Sequence, residues 1–296
     1  MIKALDDYFE KTRGEYPFFL VCPFFLRNYY WQKKFCNSLG YFPDLKNPRT
    51  FNEKIWYLLK HELPERKTYL ADKIKFKEYV INTFGREYVP ETYQVASKFD
   101  DIEWDKLPER FAVKANHGWD FYILTTHKDS FMQNLGLMKS RMNYWMRMNF
   151  YYQGLEPQYK NIKRKLYVEE LTCTKVDNEQ VKRDISLHCF LGYPLFVETS
   201  VVKDKERYKF YHDMDWNIMP FGKQETPLLK TERPMHLNKM YDFARIMSKD
   251  FKYVRCDFRE TEDRLIIGEM TFSPWAGMVH FELPEYDYIL GAKIKI

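Results

Sequence analysis

The segment from Tyr253 to Gly277, YVRCDFRETEDRLIIGEMTFSPWAG, constrains this chain more than any other. It reads as two strands, YVRCDF and RLIIGEM, because both runs are β-branched and aromatic and a polar turn separates them. Three charges, Arg255, Asp257 and Glu269, sit inside these apolar runs. A three-residue loop, Thr261-Glu262-Asp263, would pair Glu260 with Arg264 and set Asp257 opposite Ile267. Side chains alternate faces along a strand, so Glu269 would share a face with Asp257 as its diagonal neighbour, roughly 7–8 Å away. Arg255 would then lie directly opposite Glu269. A loop of two or four residues would put the two carboxylates on opposite faces. Carboxylates converging on one strand face suit Mg²⁺, a hard ion that takes oxygen ligands together with substrate phosphates. Two exposed acids balanced by an arginine is the plainer reading, and these residues by themselves leave both open.

At 296 residues the chain is long enough for two or three subdomains with their own cores. Its 24 Phe and 23 Tyr argue for an ordered globular protein. The net charge of +5 permits an anionic partner. No basic run or RNA-binding signature points to nucleic acid. The cysteines, Cys22, Cys36, Cys173, Cys189 and Cys256, are odd in number and lack metal-ligand spacing, as in a reducing compartment. The most apolar run, Tyr16 to Leu26, is broken by Pro17 and Pro23 and too short to span a bilayer. Asp6, Asp7 and Glu10 precede it, unlike a signal peptide. A soluble cytoplasmic protein is expected.

Residues 1–45 are rich in aromatics, which suits helices packed on a core, with a membrane-surface or partner-binding helix as the alternative. Thr50-Phe51-Asn52-Glu53 is a capping box, followed by a helical face of Phe51, Ile55, Leu58 and Leu59. A second helix is predicted from Tyr69 to Thr83, with Leu70, Ile74 and Ile81 inward, Lys73, Lys75 and Lys77 interleaved, and Gly85 at its end. FAVKANHG is a strand that carries Lys114 into a loop, and FYILTT is its hairpin partner. Leu135 to Tyr152 is helical, its Met138, Met142, Trp145 and Met146 stripe fitting a core. LYVEEL ends in two acids, and DISLHCF and LFVETS form a hairpin about Gly192. YKFYHD follows, and a helix with Leu237, Met240, Tyr241, Ala244 and Met247 inward leads to the opening hairpin. Early helices followed by many strands predict α+β with a mostly antiparallel sheet.

No pair of glycines is spaced for GxGxxG or for a phosphate loop, and neither HExxH nor GxSxG occurs. The histidines are scattered. Nucleotide phosphates would therefore be held by another device, such as lysines on separate elements together with a metal hairpin.

The ordered set NPRTFNEKI, LADKIKFKEYV, LPERFAVKANHG, YKNIK, SKDFKYVRCDF and GEMTFSPWAGM resembles the ATP-grasp superfamily. It is most similar to the TupA-like ATP-grasp proteins of bacterial polysaccharide and teichuronopeptide gene clusters, over about residues 43–291. That resemblance implies an ATP-grasp fold. It would comprise a reduced helical N-terminal region (1–88), a small nucleotide-gripping subdomain with its hinge (89–170), and a C-terminal subdomain with the metal hairpin (171–296). It implies ATP and Mg²⁺ as cofactors. Lys73 and Lys114 would reach the phosphates, Glu169, Glu170 and Leu171 would form the adenine hinge, and Arg183 would replace a lysine usual in relatives. Asp257 and Glu269 would hold Mg²⁺, and Arg255 would stabilise the transferring phosphoryl group. The second metal strand reads Glu269-Met270-Thr271 where the superfamily usually has Glu-x-Asn, so Thr271 would be the third, weaker oxygen donor. Trp119-Asp120 follow NHG where relatives carry small residues.

The implied activity is an ATP-dependent carboxylate–amine ligase that amidates a uronic acid of a surface polysaccharide, free or nucleotide-linked, with an amino acid or other amine. Two alternatives stand beside it. One is a glycosyltransferase of such a cluster, for which Asp213-Met214-Asp215 is the candidate nucleotide-sugar motif. The other is a decayed ATP-grasp binding module.

Overall fold

The capping box at Thr50 opens a helix. In the computed structural model, which describes residues 24–172, 183–203, 206–221, 231–261 and 264–296, the Thr50 hydroxyl accepts from the Glu53 amide and the Glu53 carboxylate accepts from the Thr50 amide. Helix α1 (Phe24–Leu39) precedes it, and the capped helix is α2 (Phe51–His61). Trp31 and Phe35 of α1 pack against Trp56 of α2. Among the described residues no helix is long and apolar enough to cross a membrane. Residues 1–23 of the aromatic N-terminal segment, with Cys22, lie outside the described residues, as does Cys173.

The helix expected over Tyr69 to Thr83 is two helices, α3 (Pro64–Ala71) and α4 (Lys73–Thr83). Asp72 divides them: it ends α3, and its carboxylate accepts from the Ile74 and Lys75 amides at the start of α4. An aspartate satisfying orphan amides in this way favours a cap over a helix interior. The inward residues of α4 are Phe76 and Val80, whereas Ile74 and Ile81 are only half-buried.

Four strands make the first sheet: β1 (Thr92–Ala96), β2 (Phe111–Ala115), β3 (Tyr122–Thr125) and β4 (Leu166–Glu169), in the order β1-β4-β2-β3. All its pairs are antiparallel. Between β3 and β4 run α5 (Lys128–Gln133), α6 (Leu135–Arg147) and α7 (Tyr151–Gly154). Met142 and Trp145 of α6 are buried with Phe111, Val113, Leu166 and Val168, so the methionine and aromatic stripe is core.

The second sheet holds β5 (Arg183–Phe190), β6 (Tyr193–Lys203), β7 (Glu206–His212), β8 (Tyr253–Glu260) and β9 (Leu265–Thr271), in the order β7-β6-β5-β8-β9. It too is antiparallel throughout. One face buries Ile185, Leu187, Val197, Cys256, Phe258 and Ile267 against Leu237, Met240, Ala244 and Met247 of α8 (Leu237–Ser248). Phe76 and Val80 of α4 complete that core. Alternation then forces Ser186, His188, Glu198, Arg255 and Asp257 onto the opposite face, and a break in the pairing at Gly268 brings Glu269 there as well. At one end of that face Phe190, Phe196, Tyr211 and Tyr253 pack with Phe51, Ile55 and the last helix, α9 (Glu285–Lys293). Asn52 fastens α2 to the chain's end, its amide donating to Asp287 and its side chain to the Val279 carbonyl. Two antiparallel sheets with helices against them give the α+β class that the order of elements predicts.

Candidate active site

The β8–β9 hairpin departs from its expected register in two places, and the departures offset each other. Glu260 pairs with Leu265, Arg259 with Ile266 and Phe258 with Ile267, so the loop holds four residues, closed by a Thr261 amide to Arg264 carbonyl bond of 2.9 Å. By parity alone this would separate the carboxylates. Gly268, however, is left out of the pairing as a bulge, and beyond it Asp257 lies directly opposite Glu269. One extra residue in one strand reverses the facing of all that follow. Asp257 and Glu269 are therefore direct partners rather than diagonal ones, and Arg255 faces Thr271 rather than Glu269. A Cβ at position 268 would stand 3.1 Å from the Asp257 carbonyl oxygen, a close backbone approach that favours glycine.

Around this pair the charges interlock. Arg255 grips Asp257 through Nε and Nη2 at 2.7 and 2.6 Å, and its Nη2 also donates to the Thr271 hydroxyl at 3.2 Å. Lys73 Nζ lies 2.5 Å from Glu269 Oε2. Burial pushes the Glu269 carboxyl up, but Lys73, Arg255 and Lys114 outweigh it and hold the group at about 2. Asp257 moves upward, because it is more enclosed and burial exceeds the pull of Arg255. Two carboxylates and a hydroxyl form an all-oxygen donor set whose chemistry fits Mg²⁺. Among the described residues no group of three or more His, Cys, Asp or Glu side chains is placed to hold a metal ion.

Helix α4 links the two sheets. Its start is tied to the loop after β2, since the Lys73 amide donates to the Asn116 carbonyl and the Asn116 amide group to Asp72. Lys73 and Lys77, one turn apart on the same side of α4, then point at different sheets. Lys73 reaches Glu269 on β9, and Lys77 reaches Glu169 on β4 at 2.7 Å. Lys114 of β2 meets the same Glu169 at 2.5 Å. Glu169 is buried, yet the two lysines outweigh that burial and keep its carboxyl low. Its side chain is thus the counter-ion of the lysine pair. In the expected hinge, the Glu170 amide donates to Glu91 and the Glu170 carboxylate takes Arg264. Leu171 follows directly. Arg183 begins β5 opposite Val201, and its side chain lies outside the described residues.

Several residues of this face escaped the sequence reading. Lys77 was legible only from its spacing to Lys73. Glu198, an acid within the apolar run LFVETS, is buried on β6 and bound by Lys209. His188 Nε2 lies 3.4 Å from Glu198, and burial drives this imidazole down to about 4, so it is neutral. Glu156 carries no sequence signal at all. It is buried where Ser273 donates to it, and the Gln158 amide donates to Ser273 at 2.9 Å.

Burial pushes the Glu156 carboxyl up to about 7, against the hydrogen bonds from Ser273 and Gln158. The folded chain thus keeps this proton where the unfolded chain, near 4.5, has released it. Stability contributed here is greatest below the unfolded value and falls as pH rises to about 7, by on the order of 3 kcal/mol. Glu156→Gln should flatten the fall in melting temperature between about pH 5 and pH 8. A variant with the wild-type slope would place the titration elsewhere.

Of the remaining candidates, Asp213 is consumed by a turn: its carboxylate accepts from the Asp215 and Asn217 amides and the Asn217 side chain. Trp119 is exposed in the loop after His117, and Asp120 takes a left-handed φ of 60°.

A search of curated proteins finds no match. Among solved structures, the chain is similar to a D-alanine–D-alanine ligase from Bacillus anthracis at 15% identity and a TM-score of 0.44, covering 75% of this chain and 65% of that one. It is similar to the ATP-grasp ligase PsnB complexed with minimal precursor at 9% identity and a TM-score of 0.44, covering 77% and 61%. A D-alanine–D-alanine ligase from Helicobacter pylori gives 13% identity and a TM-score of 0.44, covering 83% and 69%. The chain thus spans less than two thirds of the length of the first two of these ligases. The family model TupA-like ATPgrasp matches residues 53–295, from the capping box through both sheets and the carboxylate hairpin to the last helix. The chain belongs to the TupA-like ATPgrasp family, and its α+β fold is an ATP-grasp fold.

Proposed function

We propose that this protein is an ATP-dependent carboxylate–amine ligase that works through an acyl phosphate. The observation that carries the reading is the cross-strand pair Asp257 and Glu269 with Arg255 and Lys73 seated on it. Asp257, Glu269 and Thr271 would hold Mg²⁺, which when bound draws phosphate oxygens together and offsets their charge. Lys73, Lys77 and Lys114 are cations matched to phosphate oxygens. They would share or exchange their carboxylate partners when ATP enters. Glu169, Glu170 and Leu171 would border adenine, and Arg183, at the start of β5, would serve the nucleotide as well.

An oxygen of the acceptor's carboxylate attacks the γ-phosphorus of ATP, the bond to the β,γ-bridging oxygen breaks, and ADP leaves. Arg255 stabilises the charge on the transferring group. The amine then attacks the acyl carbon, expels phosphate and loses a proton, which leaves an amide. ATP is needed because an ionised carboxylate is a poor electrophile. The acceptor we propose is a uronic acid of a bacterial surface polysaccharide, and the amine is an amino acid or a simple amine. Resemblance to proteins of polysaccharide clusters supports that choice, and the chain's charge of +5 is compatible with an acidic acceptor.

Incubation with ATP, Mg²⁺, glucuronic acid and hydroxylamine tests the reading, since hydroxylamine traps acyl phosphates as hydroxamates. ADP, phosphate and a hydroxamate are expected. AMP would mean adenylation, and UDP released from a nucleotide sugar without ATP would mean glycosyl transfer. Thermal stabilisation by ATP without turnover would mean a binding module.

A further inference from the structure

Trp275 is 63% exposed, and its backbone is held in the left-handed region at φ 53°, as is that of Ala276. Non-glycine residues rarely adopt this conformation, and it persists where the surroundings enforce it. The enforcement is visible. Ser273 is anchored to Glu156 and Gln158, the Trp56 indole donates to the Ala276 carbonyl at 2.9 Å, and Gly277 lies so close to Trp56 that a Cβ there would fall 2.4 Å from its ring. The loop is fixed from beneath while its indole faces outward. Lys209 Nζ stands 5.2 Å from the Trp275 ring centroid and binds Glu198. Glu198 lies opposite Ser186, which lies opposite Asp257, so this cluster is two strand spacings, about 10 Å, from the carboxylate pair.

We infer that Trp275 and Lys209, the lysine positioned by the buried Glu198, form the acceptor subsite, which takes a pyranose ring. One face of such a ring is lined by C–H groups and stacks on an indole. Its hydroxyls need a polar partner beside it, and Lys209, held in place by the buried Glu198, supplies donors. The assignment rests on the ligase reading for its purpose, but not for its test.

Saturation-transfer NMR with methyl glucuronide and with methyl glucoside, in the presence of a non-hydrolysable ATP analogue and Mg²⁺, reads the contact without turnover. The ring C–H protons of both sugars should be saturated. Trp275→Ala should weaken binding by up to about tenfold and Trp275→Phe by less, with nucleotide affinity unchanged. Lys209→Met should weaken both sugars without removing the ring-proton signal. Equal binding of the sugars to wild type and Trp275→Ala, or no sugar binding at all, would overturn the subsite. A tryptophan-dependent sugar signal without hydroxamate formation would leave the subsite standing and remove the ligase reading instead.

Discussion

Glu269→Gln should lower ATP-dependent product formation by about 10³-fold or more, while the chain still folds. A metal supplies several kcal/mol of charge stabilisation in such reactions, and each ~1.4 kcal/mol is a factor of ten. The variant keeps the shape of the side chain and removes the charge that would hold Mg²⁺. Glu269 has a side chain 38% exposed and Lys73 one 25% exposed, so Lys73 can turn to water once its partner is neutral. A fall in melting temperature of no more than a few degrees is expected. Calorimetry of the nucleotide with and without Mg²⁺ gives a second readout: metal should tighten binding to the wild type and not to the variant. Full turnover by Glu269→Gln would end the metal assignment. Asp257→Asn should be as inactive but is a poorer probe. Its carboxylate carries two bonds from Arg255 in a more enclosed place, and breaking a buried pair costs about 3 kcal/mol or more.

Arg255→Ala should reduce the rate constant by roughly 10²–10³ and weaken ATP binding much less, because in the proposed reaction its guanidinium would act where charge develops on the transferring group. The alanine variant also leaves Asp257 unpaired, so Arg255→Lys is the necessary companion: it retains the charge and loses the two-pronged grip. Both variants should be slow, with the lysine variant the more stable of the two. A loss confined to KM for ATP would make Arg255 a binding residue rather than a group acting in the transition state.

Asp257, Glu269 and Arg255 were legible because charges inside β-branched runs are conspicuous, and the order of short motifs sufficed to reveal the family. The register was not legible. Loop length and bulge each shift parity by one, and only their combination decides which side chains meet. A glycine in a strand is a hint of a bulge, but YVRCDF and RLIIGEM do not say whether Gly268 is paired. The helix ahead of Lys73 was misread for a related reason. Propensity runs smoothly through Asp72, and what stops the helix there is a cap reinforced by Asn116, 44 residues away.

By itself, then, the sequence determined the class of fold, the family and the chemical character of the site. Those rest on local periodicity, on capping and on residue types that keep their chemistry in any setting. Tertiary structure decided which charges neutralise which. Lys73 with Glu269, Lys77 and Lys114 with Glu169, and Lys209 with Glu198 are partners only because two sheets and one helix converge. Nor could the sequence place Glu156 beneath the Trp275 loop, since burial of a carboxyl comes from packing brought in from residues more than a hundred positions distant. Electrostatic energy depends on separation and on exclusion of water, and neither is a property of residues taken in order along the chain.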